Sequence, residues 1–203
     1  MTLEDLMQAD KNGIGAAAER LSAGDIVQLV AWLCEKRDDI RYPSLLLLES
    51  RSRMAGDVYP YRETFREKLK SGNSFQRSIG AILIAENAKW DDGWLGGVIG
   101  EYLDLPNDEK PITVRQCVQH LKDIVPYKPE LHGEIAKRLI ALDIGGVRET
   151  MRKLVLTDIL EVLAMIRKEN TSDAIENYIM DAMAGGLLDK KAKKHIEELL
   201  KND

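Results

Sequence analysis

The sequence predicts an all-α protein assembled from helix pairs that lie one against the next. Three observations carry this. Apolar residues recur at helical spacing along the chain. Strand signals are missing: no run of β-branched residues alternates apolar with polar, and no Asn-Gly or Asp-Gly turn joins two such runs. An arginine that opens an apolar helix returns at steps of 36, 38 and 37 residues, at Arg41, Arg77, Arg115 and Arg152.

Taken in order, the elements justify themselves locally. Residues 2–21 read as a flanking helix. Ser22 precedes the stripe Ile26, Leu29, Val30, Leu33 and Cys34, and Asp25 lies in its opening turn, as helix starts prefer. RYPSLLLLES follows, with Pro43 fitting a first-turn position where a missing N–H costs nothing. Gly72 trails the Lys-rich end Glu67-Lys68-Leu69-Lys70 and can take the left-handed conformation that ends helices. The next stripes are Trp94, Leu95, Val98, Ile99 and Tyr102, then Val114, Cys117, Val118, Leu121, Ile124 and Val125. Leu131, Ile135, Leu139 and Leu142 follow, then Val155, Ile159, Val162, Leu163 and Ile166, and last Ile175, Tyr178, Ile179, Ala182 and Met183. Pro111 and Pro129 fit first turns, and Gly145-Gly146 and Gly185-Gly186 fit helix ends. The expectation is roughly ten to twelve helices joined by short loops.

The recurrence gives the architecture. After each arginine the chain reads RYPSLLLLES, RSIGAILIAE, RQCVQHLKDI and RKLVLTDILE. Leu47, Leu83, Leu121 and Asp158 stand six residues on, and Leu48, Ile84, Lys122 and Ile159 seven. Another amphipathic helix precedes each arginine, so the unit is helix, turn, helix. Two helices cannot bury their own apolar stripe, and neighbouring units supply the other wall. TFREKLKSGNSFQRSIGAILIAENAKW and GEYLDLPNDEKPITVRQCVQHLKDIV carry the pattern most clearly. This resembles HEAT-type repeats of the armadillo-like class, as found in uncharacterised bacterial proteins. The resemblance implies a right-handed superhelix of antiparallel helix pairs with about four to five repeats. It covers residues 25–168 as four repeats, with caps at 1–21 and 172–203, in a single α-solenoid domain spanning 1–203.

Composition narrows the function classes. Of 203 residues, 31% are charged and 44% belong to the apolar types, a globular and not a disordered balance. Lys plus Arg is 29 against 34 for Asp plus Glu, so the net charge of −5 offers no global attraction to phosphate backbones or anionic lipid. No apolar run approaches the ~18 residues of a membrane span. The opening MTLEDLMQAD has neither a basic nor an apolar leader region, and two cysteines make no disulfide framework. A cytoplasmic location is expected.

Each candidate site has a structural and a functional reading. The arginine column is either a basic ladder for acidic partners or a set of ties, each joining the turn of its own unit to a carboxylate of the neighbour; regular spacing favours the second. Asp158 interrupts an apolar column and is either a proton-handling group or a buried pair with Arg115 or Arg152, the pair being favoured. Trp90-Asp91-Asp92-Gly93-Trp94 supplies Asp91 or Asp92 as a helix cap, Trp94 as a core residue, and Trp90 as packing or an interaction anchor. Cys117, His120 and Asp123 share a helix face, but one helix with no second cluster makes a poor metal site, and no metal or cofactor is expected. Gly13-Ile14-Gly15 lacks the strand and third glycine of a dinucleotide site. Gly93, Gly96, Gly97 and Gly100 permit close helix contact. Lys190, Lys191, Lys193 and Lys194 are diluted by Glu197 and Glu198 and read as a solvated face.

The predicted partner surface lies on the second helix of each unit. It comprises Tyr42, Glu49 and Arg53; Ser78, Glu86 and Lys89; Gln116, His120, Asp123 and Tyr127; and Lys153, Thr157 and Glu161. In HEAT-like stacks the second helices line the concave wall. Mixed charge with aromatics suits a protein or peptide better than nucleic acid. The expected function is a non-catalytic scaffold that presents this wall to a protein partner. The rival is an enzyme acting on nucleic acid, such as an alkylpurine DNA glycosylase of HEAT-like fold, for which Trp90, Asp91 and Arg115 are the available residues.

Overall fold

The computed structural model describes Thr2, Leu6 and residues 13–201. Much of the proposed cap at 1–21 therefore lies outside the described residues. Among the described residues there are eleven α-helices and no strand. No described helix is long and apolar enough to cross a membrane. The chain forms two compact units, Met1–Trp94 and Leu95–Asp203. No composition shift marks that boundary in the sequence.

In the first unit the helices are α1 (Ile14–Glu19), α2 (Ala23–Trp32), α3 (Asp38–Met54), α4 (Arg62–Leu69) and α5 (Ser74–Glu86). α3 is the centre: α1, α2 and α5 pack on it, and α4 packs on α5. Leu29, Leu33, Leu47, Leu48, Phe65 and Leu83 are fully buried between them. Starts follow the sequence. Ser22 and Asp25 form a reciprocal capping box, Asp25 N–H donating to Ser22 Oγ at 3.3 Å and Ser22 N–H to Asp25 Oδ2 at 2.9 Å. Asn73 Oδ1 accepts from Phe75 N–H at 2.9 Å at the head of α5. Gly80 sets the α4–α5 distance, because a Cβ there would stand 2.6 Å from the Phe65 carbonyl oxygen.

The second unit contains α6 (Trp94–Tyr102) from Leu95 onward, α7 (Pro111–Ile124), α8 (His132–Ile140), α9 (Glu149–Glu169), α10 (Asp173–Ala184) and α11 (Lys190–Lys201). α9, 21 residues long, is its axis, with α7, α8, α10 and α11 packed around it. Val155, Ile159, Leu160, Val162, Leu163 and Ile166 of α9 are fully buried. Tyr102 and Cys117 lock α6 to α7 reciprocally: Tyr102 Oη donates to the Cys117 carbonyl at 3.1 Å, and Cys117 Sγ to the Tyr102 carbonyl at 3.4 Å.

The recurring arginines open the long helices α3, α5, α7 and α9. Three of them hold the turn that precedes their own helix. Arg41 donates to the Glu35 carbonyl at 3.1 Å, Arg77 to the Ser71 carbonyl at 2.8 Å, and Arg152 to the carbonyls of Val147 at 2.8 Å and Gly145 at 2.5 Å. Arg41 also pairs with Asp38 and lies 5.0 Å from the Phe75 ring on α5, so it reaches the next helix pair through an aromatic ring. Arg115 shows the expected neighbouring carboxylate, with Nε 2.8 Å from Asp158 Oδ2. The turn ahead of α7 has Pro111 at the first helical position instead.

Three local expectations are corrected. Pro43 sits inside α3, because Asp38 and Asp39 already form the first turn; its missing N–H leaves the Asp39 carbonyl without its helical partner. Gly72, Gly145, Gly146, Gly185 and Gly186 are not left-handed; among the described residues only Gly93 is, at φ 109°. The helix ends close by other bonds, such as Ser71 N–H to the Lys68 carbonyl at 3.1 Å and Leu142 N–H to the Leu139 carbonyl at 3.2 Å. Trp94 is half-buried and not a core residue.

Two substitutions test this packing. Gly80→Ala should destabilise by about 1–3 kcal/mol despite the better helix propensity of alanine, because a backbone oxygen must move. Arg77→Ala should cost roughly 1–2 kcal/mol through the lost charged hydrogen bond and lower the melting temperature by several degrees. Thermal denaturation followed by circular dichroism reads both; unchanged melting of either variant contradicts the role assigned to that residue.

Candidate functional site

The candidate partner residues fall into two groups, one in each unit. In the first unit, Glu49, Arg53, Glu86 and Lys89 meet at the C-terminal ends of α3 and α5. Arg53 Nη2 lies 2.6 Å from Glu49 Oε1, and Arg53 Nε donates to Glu86 Oε2 at 2.9 Å. Glu86 is only 6% exposed. It is thus a buried partner of an exposed guanidinium, not the free surface charge that its position in the sequence suggests. Lys89 Nζ donates to the Arg53 carbonyl and stands 4.4 Å from the Trp90 ring centre. Ser78 is half-buried on α5, and Tyr42 is exposed near the start of α3, about 16 Å along the helix from Arg53.

Trp90 packs within its own unit. Its indole N–H donates to the Ser52 carbonyl at 2.7 Å, and its ring covers Gly56, where a Cβ would stand 3.1 Å from the indole. Yet the residue remains 37% exposed. Asn87 anchors the same corner from within, donating to Ser52 Oγ at 2.9 Å and to the Leu83 carbonyl at 2.8 Å.

Next to Trp90 lies a group that local sequence spacing does not reveal. Tyr59 Oη is 2.9 Å from Asp91 Oδ1 and 2.8 Å from Asp92 Oδ1. Burial, and the two carboxylates that accept its proton, push the Tyr59 phenol up. The Arg62 guanidinium lies 4.7 Å from the Tyr59 ring centre and 6.0 Å from that of Trp94, whose indole N–H donates to Glu63 Oε1 at 2.6 Å. Asp91 also accepts from Gly93 N–H at 3.0 Å, which fixes the turn that requires the left-handed glycine.

In the second unit the candidates lie along α7 and α9. Asp158 is 5% exposed and takes Arg115 at 2.8 Å and Gln119 Nε2 at 3.2 Å. One turn on, Glu161 takes Lys122 Nζ at 2.5 Å and His195 Nε2 of α11 at 2.8 Å. Burial alone would raise the Glu161 carboxyl; hydrogen bonds from Lys122 and His195 outweigh it and hold the group below the usual glutamate range. Lys153 pairs with Asp189 at 2.8 Å, and Thr157 Oγ1 donates to the Lys153 carbonyl at 2.8 Å. His120 Nδ1 is 2.9 Å from Asp123 Oδ2; Gln116 is half-buried and Tyr127 exposed. Cys117 is fully buried, and burial pushes its thiol up. Lys122 and His195 belong to this group but were not among the sequence candidates. Their partner Glu161 lies 39 and 34 residues away, beyond any local pattern.

Two clefts also open in the second unit. One, of about 460 Å³, is bordered by Asp108, Glu109, Asp143 and Arg148 and by Gly146 and Val147 of the loop that Arg152 holds. The other, of about 300 Å³, is apolar, with Ala136, Ile140, Ile166 and Ile175 on its walls. Chemically, each unit presents paired polar and charged side chains beside an exposed tyrosine. Comparison of the chain with protein-family models, curated proteins and solved structures finds no match.

Glu161 gives a pH prediction. Its folded carboxyl titrates below the unfolded one, so its stabilising contribution is present above the unfolded value (about 4.3) and is lost as pH falls through the folded value. Glu161→Gln should therefore melt earlier than the parent at pH 7, and the two curves should converge below pH ~4. A difference in melting temperature that does not change between pH 7 and pH 3 contradicts the assignment.

Proposed function

We propose that this protein is a non-catalytic scaffold whose helix pairs form a HEAT-like right-handed superhelix, with the long second helices lining a concave wall that binds a protein partner. The observation that carries the reading is the recurrence at Arg41, Arg77 and Arg152 of one device in one place: a guanidinium at the start of a long helix tied to the preceding turn. Such recurrence is what a repeat architecture needs to keep successive pairs in step.

The side chains along the proposed wall support a protein partner. Opposite charges pair as Arg53–Glu49 and Lys153–Asp189, His120 Nδ1 lies 2.9 Å from Asp123 Oδ2, and Tyr42 and Tyr127 are each 52% exposed. Exposed aromatics amid paired charges are the usual anchors of protein interfaces. The net charge of −5 gives no general affinity for nucleic acid. Against the glycosylase reading, Trp90, Asp91 and Arg115 are each engaged inside their own unit, with the Ser52 carbonyl, Tyr59 and Asp158 respectively.

The test is affinity capture from lysate of the native cell with the parent chain and three surface variants, Tyr42→Ala, Asp123→Lys and Lys153→Glu. A specific partner should fall at least about tenfold, ~1.4 kcal/mol, in one or more variants whose circular dichroism is unchanged. Equal recovery of every captured protein by all four chains rejects the wall as the binding surface. Salt-sensitive retention of short DNA duplexes in a low-salt gel shift would favour the nucleic-acid reading instead.

A further inference from the structure

Lys68 of α4 is a buried cation with no carboxylate within ion-pair distance among the described residues. It is 7% exposed, and its ammonium meets two groups: Cys34 Sγ at 3.2 Å and Gln76 Oε1. Neither is a carboxylate. A buried ammonium is normally matched by a carboxylate. Gln76 is itself fixed, its Nε2 donating to the Leu33 carbonyl at 2.7 Å. The amine nitrogen is thus positioned from three sides: by its own helix, by Gln76 of α5, and by the residues that end α2. Cys34 presents the opposite situation, an exposed residue whose sulfur meets this nitrogen.

We propose that Cys34 and Lys68 form an oxidation site, in which a hydroperoxide converts Cys34 to a sulfenic acid that Lys68 captures as a sulfenamide cross-link. The first step is Cys34–SH + HOOH → Cys34–SOH + H2O; sulfur loses two electrons and the peroxide O–O bond takes them. The second is Cys34–SOH + Lys68–NH3⁺ → Cys34–S–NH–Lys68 + H2O + H⁺. The S–O bond breaks, the S–N bond forms, hydroxide leaves as water and a proton passes to solvent. No further oxidant is needed. Condensation of sulfenic acids with nitrogen is a known branch of cysteine oxidation and is reversed by thiols. The 3.2 Å separation lies within the near-attack range of about 3–3.5 Å. The bond would join the end of α2 to α4, tying the first helix pair to the second. Cys117 is the internal contrast: fully buried and bonded to the Tyr102 carbonyl, it has neither access nor an amine.

The test is peptide mapping of the folded full-length chain after brief exposure to hydrogen peroxide, with digestion free of reductant. The expected result is a linked pair of peptides carrying Cys34 and Lys68, lighter than their sum by two hydrogen atoms and separated again by dithiothreitol, with Cys117 unmodified. In Lys68→Arg the pair should vanish and Cys34 should become trappable by dimedone. Lys68→Met serves the same purpose if circular dichroism shows that the arginine variant is misfolded. The proposal is overturned if the parent Cys34 stays reduced, or passes to sulfinic acid or an intermolecular disulfide with no link to Lys68. It is also overturned if the linked pair forms equally in guanidinium-unfolded protein.

Discussion

Backbone carbonyls in the turn between two helices must find donors, and in this protein an arginine from the following helix repeatedly supplies them. Arg41, Arg77 and Arg152 reach back five to seven residues and hold the turn against the start of α3, α5 and α9. A guanidinium can span that gap with several donors in a fixed plane, which a lysine cannot. The turn is thereby made part of the helix that follows it. Where the device is absent, before α7, a proline at the first helical position takes over the turn, and Arg115 is released to reach Asp158.

Several polar groups buried in this fold are answered by a neighbouring helix. Glu86 is met by Arg53, Asp158 by Arg115 and Gln119, and Asn87 by Ser52. Each contact crosses between long helices that the apolar stripes alone would leave free to rotate. Buried polar pairs of this type are modest in net stability but strict in geometry. They define which helix faces which, while Leu47, Leu83 and Leu121 supply the burial.

Much of the helical order was legible because it rests on local rules. The Ser22–Asp25 box and Pro111 at the head of α7 follow from chemistry within one turn. The structure departs from the local rules where two of them compete or where a distant group answers. Pro43 fits a first turn by sequence, but the Asp38-Asp39 pair starts the helix earlier. Glycines after helices suggest left-handed ends, whereas the helices close by tighter backbone bonds, and after α4 and α8 arginines hold carbonyls of the turns that follow. The pairing of Asp158 narrowed to two arginines from sequence, since both lie near it in the repeat. His195 on Glu161 and Trp94 on Glu63 depend on how distant helices pack, and no periodicity encodes that.

The close approach at Gly80 reaches further than its own contact. Ile79 and Ala81 on either side both carry a Cβ, so sliding or rotating α5 by one residue against α4 would drive a methyl or larger group into the Phe65 carbonyl. The missing side chain is therefore a register pin. It lies one turn after Arg77 and two turns before Glu86, so one hydrogen atom in place of a methyl sets the phase of both ends of the helix at once.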